Sequence, residues 1–363
     1  MSSTTGLLTS MNSRRIKKGL VFFCIITLVS LTVLFVLTRS QGLLVAFSNY
    51  DLRYLSVTFI LLLVDVALGS YRNHVFMKKL DGSVDFMTSL RANLANTFVG
   101  AVTPSQGGGG PAQFYVYHRK GASIGQAVFV AAFNYLSTLI VFISGAVLAL
   151  LLLSDRFQGR FDGLILLCFI VFSTEFALLT LALSRPSLFI RLLGGITTRL
   201  LRKSPGLGRR MARLTDRISM EIGAFRDSSR DFFSRNILMI PLSLFLTLVL
   251  YLNKYVIAYT VLLGMGIQSD FMTVIAIQAI LMCIIYFSPS PGGSGIAEFS
   301  TAALMSTLIP ESRLGIFSLL QRSFLLYLPM LMGAFVIFHE LRVLASGIGT
   351  DRQIGDPAVG SPV

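Results

Sequence analysis

Long apolar stretches alternate with short polar ones along this chain, and six of the apolar stretches are long enough to cross a bilayer as helices. A transmembrane helix needs about 20 predominantly apolar residues. The six predicted spans cover residues 20–38, 52–70, 124–153, 163–184, 237–263 and 314–338. The first has no charged residue and exceeds the apolar core of a secretory signal, so we expect it to be retained in the protein.

Two shorter apolar stretches contain a glycine- and proline-rich motif that occurs twice. The motif reads TPSQGGGGPAQF at residues 103–114 and SPSPGGSGIAEF at residues 288–299, with seven identities in twelve positions. Proline ends the incoming helix, and the glycines allow the chain to reverse through positive φ and to approach its neighbours closely. We therefore predict two re-entrant helical hairpins, at about residues 87–121 and 270–310.

The duplication extends beyond the motif. Adding its offset of 185 residues to the second and third spans gives the positions of the fifth and sixth spans. The chain then divides into two membrane halves, residues 15–160 and 161–342, each with the order span, span, hairpin, span. Such repeats, when inverted in the membrane, allow inward-open and outward-open states of similar energy, which is typical of transporters.

Composition supports a membrane protein and disfavours a soluble one. Of the 363 residues, 54% are hydrophobic and 13% are charged, whereas soluble domains contain about 25% charged residues. The predicted fold class is an all-α integral membrane protein with about six transmembrane helices and two re-entrant hairpins in an inverted repeat.

The distribution of lysine and arginine predicts the orientation, because positively charged flanks stay in the cytoplasm. With both termini in the cytoplasm, 24 of the 31 basic residues lie inside. This topology predicts a cytoplasmic (inner) membrane protein in which the first hairpin enters from the cytoplasm and the second from outside. Residues 1–14 and 343–363 are predicted to be disordered cytoplasmic tails.

The hairpin tips are the first candidate substrate site. A helix that starts at mid-membrane presents free N–H groups and a positive dipole end, which attract anions such as a lipid phosphate. Asn93 and Gln278 occupy equivalent positions before the two tips and either line a polar groove or hydrogen-bond between helices; the glycines either bind substrate or only permit close packing. The candidate substrate-binding residues are Asn93, Thr103, Gly107, Gly108, Gly109, Gly110, Gln113, Gln278, Ser288, Gly292, Gly293, Gly295 and Glu298.

Ionisable side chains at membrane depth form the second candidate site. They are Asp65, Glu175, Lys254, Glu298 and Arg322. Each costs about 2.5–3.5 kcal/mol on insertion scales, which predicts ion pairing or a wet cavity. Their depths favour pairing of Glu298 with Arg322 over pairing with Lys254. Such a pair either fixes helix register or belongs to a headgroup-binding or proton-coupled cluster.

Basic residues near the cytoplasmic surface predict contact with anionic lipid rather than with nucleic acid. Residues 185–235 carry twelve basic and four acidic residues, and apolar side chains recur at helical spacing between Leu207 and Phe225. This pattern is typical of an amphipathic helix at the membrane surface. His118, Arg119 and Lys120, after the first hairpin, are candidate headgroup contacts or helix-end anchors.

Signals for catalysis and for cofactors are lacking. The three histidines are scattered, and the sequence has no His-Glu-x-x-His, no cysteine pair at metal-binding spacing, no Gly-x-Ser-x-Gly and no phosphate loop ending in Gly-Lys-Ser/Thr. We therefore expect no catalytic residues, no metal and no cofactor. A transporter without a nucleotide site is either a facilitator or driven by an ion gradient.

The paired motifs resemble those of a known family. TPSQGGGGPAQ at residues 103–113, YHRKG at residues 117–121 and SPSPGGSGIAE at residues 288–298 resemble the flippase-like membrane region of bacterial lysylphosphatidylglycerol synthases, over about residues 15–342. In the full synthase, a soluble aminoacyl transferase follows, and this sequence has no counterpart to it. Many relatives carry an acidic residue where this chain has Gly110. The role of that acidic residue therefore cannot be assigned to this chain.

The resemblance implies lipid translocation without aminoacyl transfer. We expect the chain to move an anionic phospholipid or a lipid-linked headgroup between leaflets. A transporter of small hydrophilic solutes and a non-transporting partner of an envelope enzyme are the alternatives. Membrane phospholipids are the expected partners, and a homo-oligomer or a separately encoded envelope enzyme is possible as well.

Overall fold

Helices make up the protein wherever the computed structural model describes it, namely over residues 13–39, 50–153, 162–184 and 236–345, and no β-strand occurs in these ranges. The helices are α1 (Ser13–Leu37), α2 (Leu52–Leu80), α3 (Phe86–Ala101), α4 (Gly109–Arg119), α5 (Ile124–Leu153), α6 (Asp162–Ser184), α7 (Met239–Gly264), α8 (Phe271–Tyr286), α9 (Ile296–Met305), α10 (Glu311–Arg322) and α11 (Leu328–Ala345). Short 3₁₀ turns at Pro104–Gln106 and Pro291–Gly293 and a π-turn at Ser323–Tyr327 interrupt them.

Six helical segments are long and apolar enough to span a membrane, which confirms the predicted class of multi-pass all-α membrane protein. They are α1, α2, α5, α6, α7 and the continuous segment from α10 through the π-turn to α11. The predicted end of the second span, residue 70, was wrong, because α2 continues to Leu80. Arg72, Lys78 and Lys79, which the charge distribution assigns to the cytoplasmic side, all belong to this helix. The two lysines occupy the last turn of α2, where they complement the negative end of the helix dipole.

Two helix–turn–helix units stand where the hairpins were predicted. The first consists of α3 and α4, and the second of α8 and α9. The longest of the four helices has 16 residues, which at about 1.5 Å per residue is too short to cross the hydrocarbon core.

The two hairpins begin in the same way. Asp85 caps α3 by accepting a hydrogen bond from the Thr88 backbone N–H (2.9 Å), and Asp270 caps α8 by accepting one from the Thr273 N–H (3.0 Å). The side-chain and backbone hydrogen bonds from Thr88 hold the pKa of Asp85 below its ordinary value. The caps lie 185 residues apart, so the offset found in the sequence also relates the starts of equivalent helices.

The backbone of the first tip differs from the prediction. Its glycines were expected to supply positive φ, but Ser105 and Gln106 have φ of 50° and 55°, while Gly107 and Gly108 have ordinary negative values. The glycines serve close approach instead, since a Cβ on Gly108 would lie 2.7 Å from the Thr103 Cγ2 atom. In the second tip, Gly292, Gly293 and Gly295 do adopt positive φ, as predicted.

The tips of the two hairpins contact each other, and the second tip also contacts the first span. A Cβ on Gly292 would lie 3.2 Å from the carbonyl oxygen of Ala101, at the end of the first hairpin's incoming helix. Thr27 of α1 shares a hydroxyl–hydroxyl hydrogen bond of 2.7 Å with Ser294. The tips therefore meet in one seam, which α1 contacts at the second tip, while residues 104–107 of the first tip are exposed.

The predicted amphipathic helix within residues 185–235 lies outside the described residues, as do most of the two predicted tails. Within the described residues, α1 begins at Ser13 and α11 ends at Ala345, a little beyond the expected tail boundaries.

Candidate functional site

A cavity of about 610 Å³ lies between α2, the first hairpin, α5, α6, α7 and the end of α8. We call it the Arg72 cavity. Its polar lining residues are Arg72, Asn73, Asn93, Asn96, Thr97, Ser105, Gln106, Gln113, Asn134, Tyr135, Thr138, Tyr251 and Tyr286. Among the described residues that line it, Arg72 is the only charged one, so the cavity wall carries a net positive charge.

The guanidinium of Arg72 has no carboxylate partner among the described residues. Its Nη1 atom donates hydrogen bonds to the hydroxyl oxygens of Thr247 (3.0 Å) and Thr138 (3.3 Å). Its Nε atom is buried and has no hydrogen-bond partner among the described residues. Because a guanidinium has five N–H donors and prefers planar oxyanions such as phosphate, Arg72 retains donors for an anionic ligand.

Amide side chains hold the polar walls of this cavity in place. Asn96 Nδ2 donates to Gln113 Oε1 at 2.6 Å, which ties the two helices of the first hairpin together. Asn134 Nδ2 donates to Asn73 Oδ1 at 2.8 Å, which joins α5 to α2 beside Arg72. These hydrogen bonds orient the amides, so the polar surface around the arginine is preorganised.

Two stacked tyrosines form another wall of the Arg72 cavity. The rings of Tyr135 and Tyr286 lie 5.8 Å apart with an interplanar angle of 20°. The Tyr135 hydroxyl donates to Oε1 of Glu175 on α6, and the other carboxylate oxygen, Oε2, is buried without a partner among the described residues. Glu175 therefore lies one hydrogen bond behind the cavity wall.

A second cavity, of about 220 Å³, adjoins the first, and we call it the Arg322 cavity. Lys254 and Arg322 line it. Five residues line both cavities: Asn96, Thr97, Gln106, Tyr251 and Tyr286. The two spaces are thus separated only by a shared wall that includes the positive-φ residue Gln106.

Each cation of the Arg322 cavity has an acidic partner. Lys254 Nζ lies 2.7 Å from Asp65 Oδ2. Arg322 Nε lies 3.1 Å from Glu298 Oε1, which is the pair that the sequence favoured. The second cavity therefore has paired charges, whereas Arg72 is unpaired.

The Glu298–Arg322 pair also holds the second tip. Glu298 Oε2 accepts a hydrogen bond of 2.6 Å from the Gly295 backbone N–H at the start of α9. Arg322 Nη2 donates to the carbonyl oxygen of Gly292 at 2.7 Å, and its guanidinium lies 5.8 Å from the ring centroid of Tyr327 in the π-turn. The pair is almost fully buried, with side-chain exposures of 7% for Arg322 and 0% for Glu298.

The structure brings only some of the predicted substrate-binding residues to a cavity. Asn93, Gly110 and Gln113 line the Arg72 cavity, and Gly292 lines the Arg322 cavity. The remaining predicted residues line neither cavity: Thr103, Gly107, Gly108, Gly109, Gln278, Ser288, Gly293, Gly295 and Glu298. Thr103 instead accepts a hydrogen bond from the Gly108 N–H (2.9 Å) and closes the first tip.

Two further sets of predicted residues lie away from the cavities. Gln278 is fully buried and accepts a hydrogen bond of 2.5 Å from Gln321 Nε2, which is the interhelical role that the sequence left open. His118, Arg119 and Lys120 lie at the C-terminal end of α4 and line neither cavity. Positively charged groups in this position complement the helix dipole.

Sequence reasoning missed Arg72 and the aromatic wall. Arg72 was counted as a cytoplasmic flank because the second span was ended two residues before it. Tyr135, Tyr251 and Tyr286 lie in apolar stretches, where a tyrosine gives no distinct signal. Asn96, which was also missed, had the clearest signal in the sequence, because it lies about one helical turn after the candidate residue Asn93.

No group of three or more histidine, cysteine or acidic side chains that would suit a metal ion occurs in the described part of the chain. The three cysteines are free, and two of them, Cys168 and Cys283, are buried. The chemistry that this site offers is the binding of an anion by an unpaired arginine and oriented amides.

Comparison with known proteins gives two matches. Residues 20–333 match the family model described as the lysylphosphatidylglycerol synthase transmembrane region. A UPF0104 membrane protein of Archaeoglobus fulgidus is 24% identical over 287 residues, which cover 79% of this chain and 86% of that protein.

Proposed function

Because the chain belongs to the lysylphosphatidylglycerol synthase transmembrane-region family, we propose that it moves an anionic phospholipid or a lipid-linked anionic headgroup between leaflets. The single observation that carries the proposal is the unpaired Arg72 in a cavity of about 610 Å³ whose described lining contains no carboxylate. Burying an unpaired charge is costly, so a protein that retains one at membrane depth gains from a mobile counter-ion.

The lining of the Arg72 cavity suits an amphiphile. Its volume falls within the range of about 300–1,000 Å³ that is common for small-molecule sites. Apolar side chains complete the wall, namely Phe114, Val128, Ala131, Ala132 and Leu179. A phosphate bound to Arg72 would leave the glycerol and acyl end of a lipid against this apolar surface.

The Arg322 cavity would extend the path of the lipid beyond the Arg72 cavity. It shares the wall formed by Gln106, Tyr251 and Tyr286 with the Arg72 cavity, so movement of these side chains would join the two spaces. Gln106 is held at a positive φ that non-glycine residues rarely adopt, and such strain is often found where a segment switches between states.

We further propose that the two hairpins are re-entrant and enter from opposite faces of the cytoplasmic membrane, with both termini in the cytoplasm. Three observations support this topology. The hairpin helices are too short to span, their tips meet within the protein, and the bias of lysine and arginine sets the orientation.

Cysteine accessibility tests the topology. In a variant without the three native cysteines, Ser105→Cys is expected to react with an impermeant maleimide added from the cytoplasmic side, and Ser290→Cys with the same reagent added from outside. The measurement is labelling of inside-out and right-side-out vesicles. Labelling of both positions from the same side would contradict the inverted arrangement.

Lipid movement is tested in reconstituted vesicles that contain a fluorescent phosphatidylglycerol. Addition of dithionite bleaches only the outer leaflet of protein-free vesicles, and the protein is expected to make nearly all of the probe accessible. Arg72→Gln is expected to slow this movement by about tenfold or more, because a charge-assisted hydrogen bond contributes about 1.5–3 kcal/mol. Arg72→Lys should retain part of the rate, since it keeps the charge but loses the planar fork.

Arg53→Gln is the matched control, because Arg53 is an exposed arginine in the first turn of the same helix. If Arg72→Gln moved the lipid as fast as the control, the proposed role of the Arg72 cavity in lipid movement would be overturned. If the wild-type protein left the lipid distribution unchanged but took up a water-soluble organic phosphate, the small-solute alternative would replace lipid transport. Movement of neither would favour the non-transporting partner.

A further inference from the structure

Glu175 stands apart from the other carboxylates at membrane depth. Asp65 is paired with Lys254 and Glu298 with Arg322, both at hydrogen-bond distance. Glu175 lies 13 residues into the membrane-spanning helix α6 and has no cation within ion-pair distance among the described residues. Among the described charged side chains at this depth, Arg72 and Glu175 are therefore the two without an ion-pair partner.

The immediate surroundings of Glu175 are aromatic. Tyr135 of α5 donates to Oε1, Oε2 is buried without a partner, and Tyr286 of α8 lies close enough to interact electrostatically with the carboxyl group. Farther along the same interface, Cys168 of α6 faces Cys283 of α8. No lysine, arginine or histidine is among these described neighbours, and the Tyr135 hydroxyl is the hydrogen-bond donor that Glu175 has there.

The same two tyrosines connect Glu175 to the anion cavity. Tyr135 and Tyr286 line the Arg72 cavity, and Tyr286 interacts electrostatically with Arg72 on one side and with Glu175 on the other. The stacked pair Tyr135 and Tyr286 thus borders the Arg72 cavity and reaches Glu175 through the Tyr135 hydroxyl. An anion that binds to Arg72 enters the electrostatic field of Glu175.

We propose that Glu175 is the proton site of this protein, and that protonation of its carboxyl group is coupled to binding of a phosphate-bearing anion in the Arg72 cavity. The proposal rests on the proposed function and adds how the movement would be driven. An ionised Glu175 repels the incoming anion, whereas a protonated one does not. Because such coupling is reciprocal, anion binding promotes uptake of a proton by the same factor by which the proton raises the affinity for the anion.

The coupling provides a source of energy. If the anion and the proton occupy the site together, a proton gradient across the membrane drives the anion in the direction in which protons flow. Tyr135 provides the path, since its hydroxyl is hydrogen-bonded to Glu175 and its ring lines the cavity. In this scheme Glu175 does not touch the anion and acts only through its charge.

The test is calorimetric titration of the detergent-solubilised protein with dihexanoyl phosphatidylglycerol, whose phosphodiester stays ionised throughout. The pH is varied from about 5 to about 8. Each titration is repeated in two buffers of different ionisation enthalpy, which gives the number of protons taken up. With proton coupling, the wild-type affinity is expected to fall by up to about tenfold per pH unit as the pH rises, with uptake of up to about one proton per lipid.

Glu175→Gln carries a permanently neutral side chain of the same shape. This variant is expected to bind with the high affinity of the wild type at low pH, to lose the pH dependence, and to take up no proton. Tyr135→Phe is expected to keep a proton-linked affinity but to shift the pH at which the affinity changes. Glu311→Gln, which alters an exposed carboxylate at the start of α10, should behave as the wild type.

The outcomes separate the two proposals. Wild-type binding without proton uptake at any pH, or unchanged pH dependence in Glu175→Gln, would overturn the coupling and leave the anion site intact. Absence of wild-type binding at every pH would overturn the anion site, and the coupling with it. If Glu175→Gln did not fold, Tyr135→Phe would decide the question, because an unshifted pH dependence in that variant would overturn the assignment to Glu175.

Discussion

Glu298→Gln is expected to lower the free energy of unfolding by about 3–5 kcal/mol, because it removes one partner of a buried ion pair and leaves the other charge uncompensated. Arg322 would keep its hydrogen bond to the Gly292 carbonyl but lose its counter-charge. The measurement is unfolding of the purified protein in mixed detergent micelles. Since the pair joins α9 to the last span, the second hairpin is expected to loosen first.

Asp65→Asn is the matched comparison for this prediction. The Asp65–Lys254 pair is also a carboxylate–cation pair, but its side chains are more exposed, at 11% and 21%. Solvent screens such a pair better, so the loss of stability should be smaller. Equal losses for Glu298→Gln and Asp65→Asn would contradict the argument from burial.

A charge exchange distinguishes a structural role of this pair from a role in substrate binding. The double variant Glu298→Arg with Arg322→Glu restores opposite charges at the same two positions. If it also restored lipid movement, the pair would be structural. Recovery of stability without recovery of movement would assign one of the two side chains to the substrate.

Gly333→Ala is expected to lower the free energy of unfolding by about 3 kcal/mol, at the upper end of the range for overpacking. Gly333 of α11 packs against the backbone of α3 in the first hairpin. A Cβ at this position would collide with the Leu94 carbonyl oxygen and lie 2.9 Å from Phe98 Cβ. A helix backbone has little freedom to give way, so α3 and α11 would have to separate.

Gly163→Ala in α6 is the control for this change. A Cβ at Gly163 would meet no atom within 4 Å, so stability should stay within about 0.5 kcal/mol of the wild type. Both variants are measured by the same unfolding assay in micelles. A stable Gly333→Ala protein would show that the hairpin and the last span are not packed as closely as described.

The sequence was sufficient to predict the spans and the tip motifs, because both depend on local composition. Apolar length marks a membrane helix, and glycine with proline marks its interruption. One further local signal was available, since Asp-Phe-Met-Thr occurs at residues 85–88 and again at residues 270–273. These are the capped starts of α3 and α8, so the tetrapeptide would have fixed the beginning of both hairpins.

The main candidate site was harder to predict, because distant segments assemble it. The partners of Arg72, Thr138 and Thr247, lie 66 and 175 residues away along the chain. Nothing in the residues around Arg72 shows that its side chain turns into a cavity, and the rule that assigns basic residues to the cytoplasm placed it in a loop. The Glu298–Arg322 pair was easier, because the depths of both residues followed from the span boundaries.

The seam where Gly292 rests against the Ala101 carbonyl has a mechanical consequence. Displacement of the second tip towards Ala101 would press on the first hairpin and would pull on the first span, which Thr27 attaches to the same place. Conformational exchange in this protein would then be concerted between its halves. A small compound wedged into the seam would arrest both halves together, which makes this contact a natural point for an inhibitor to act.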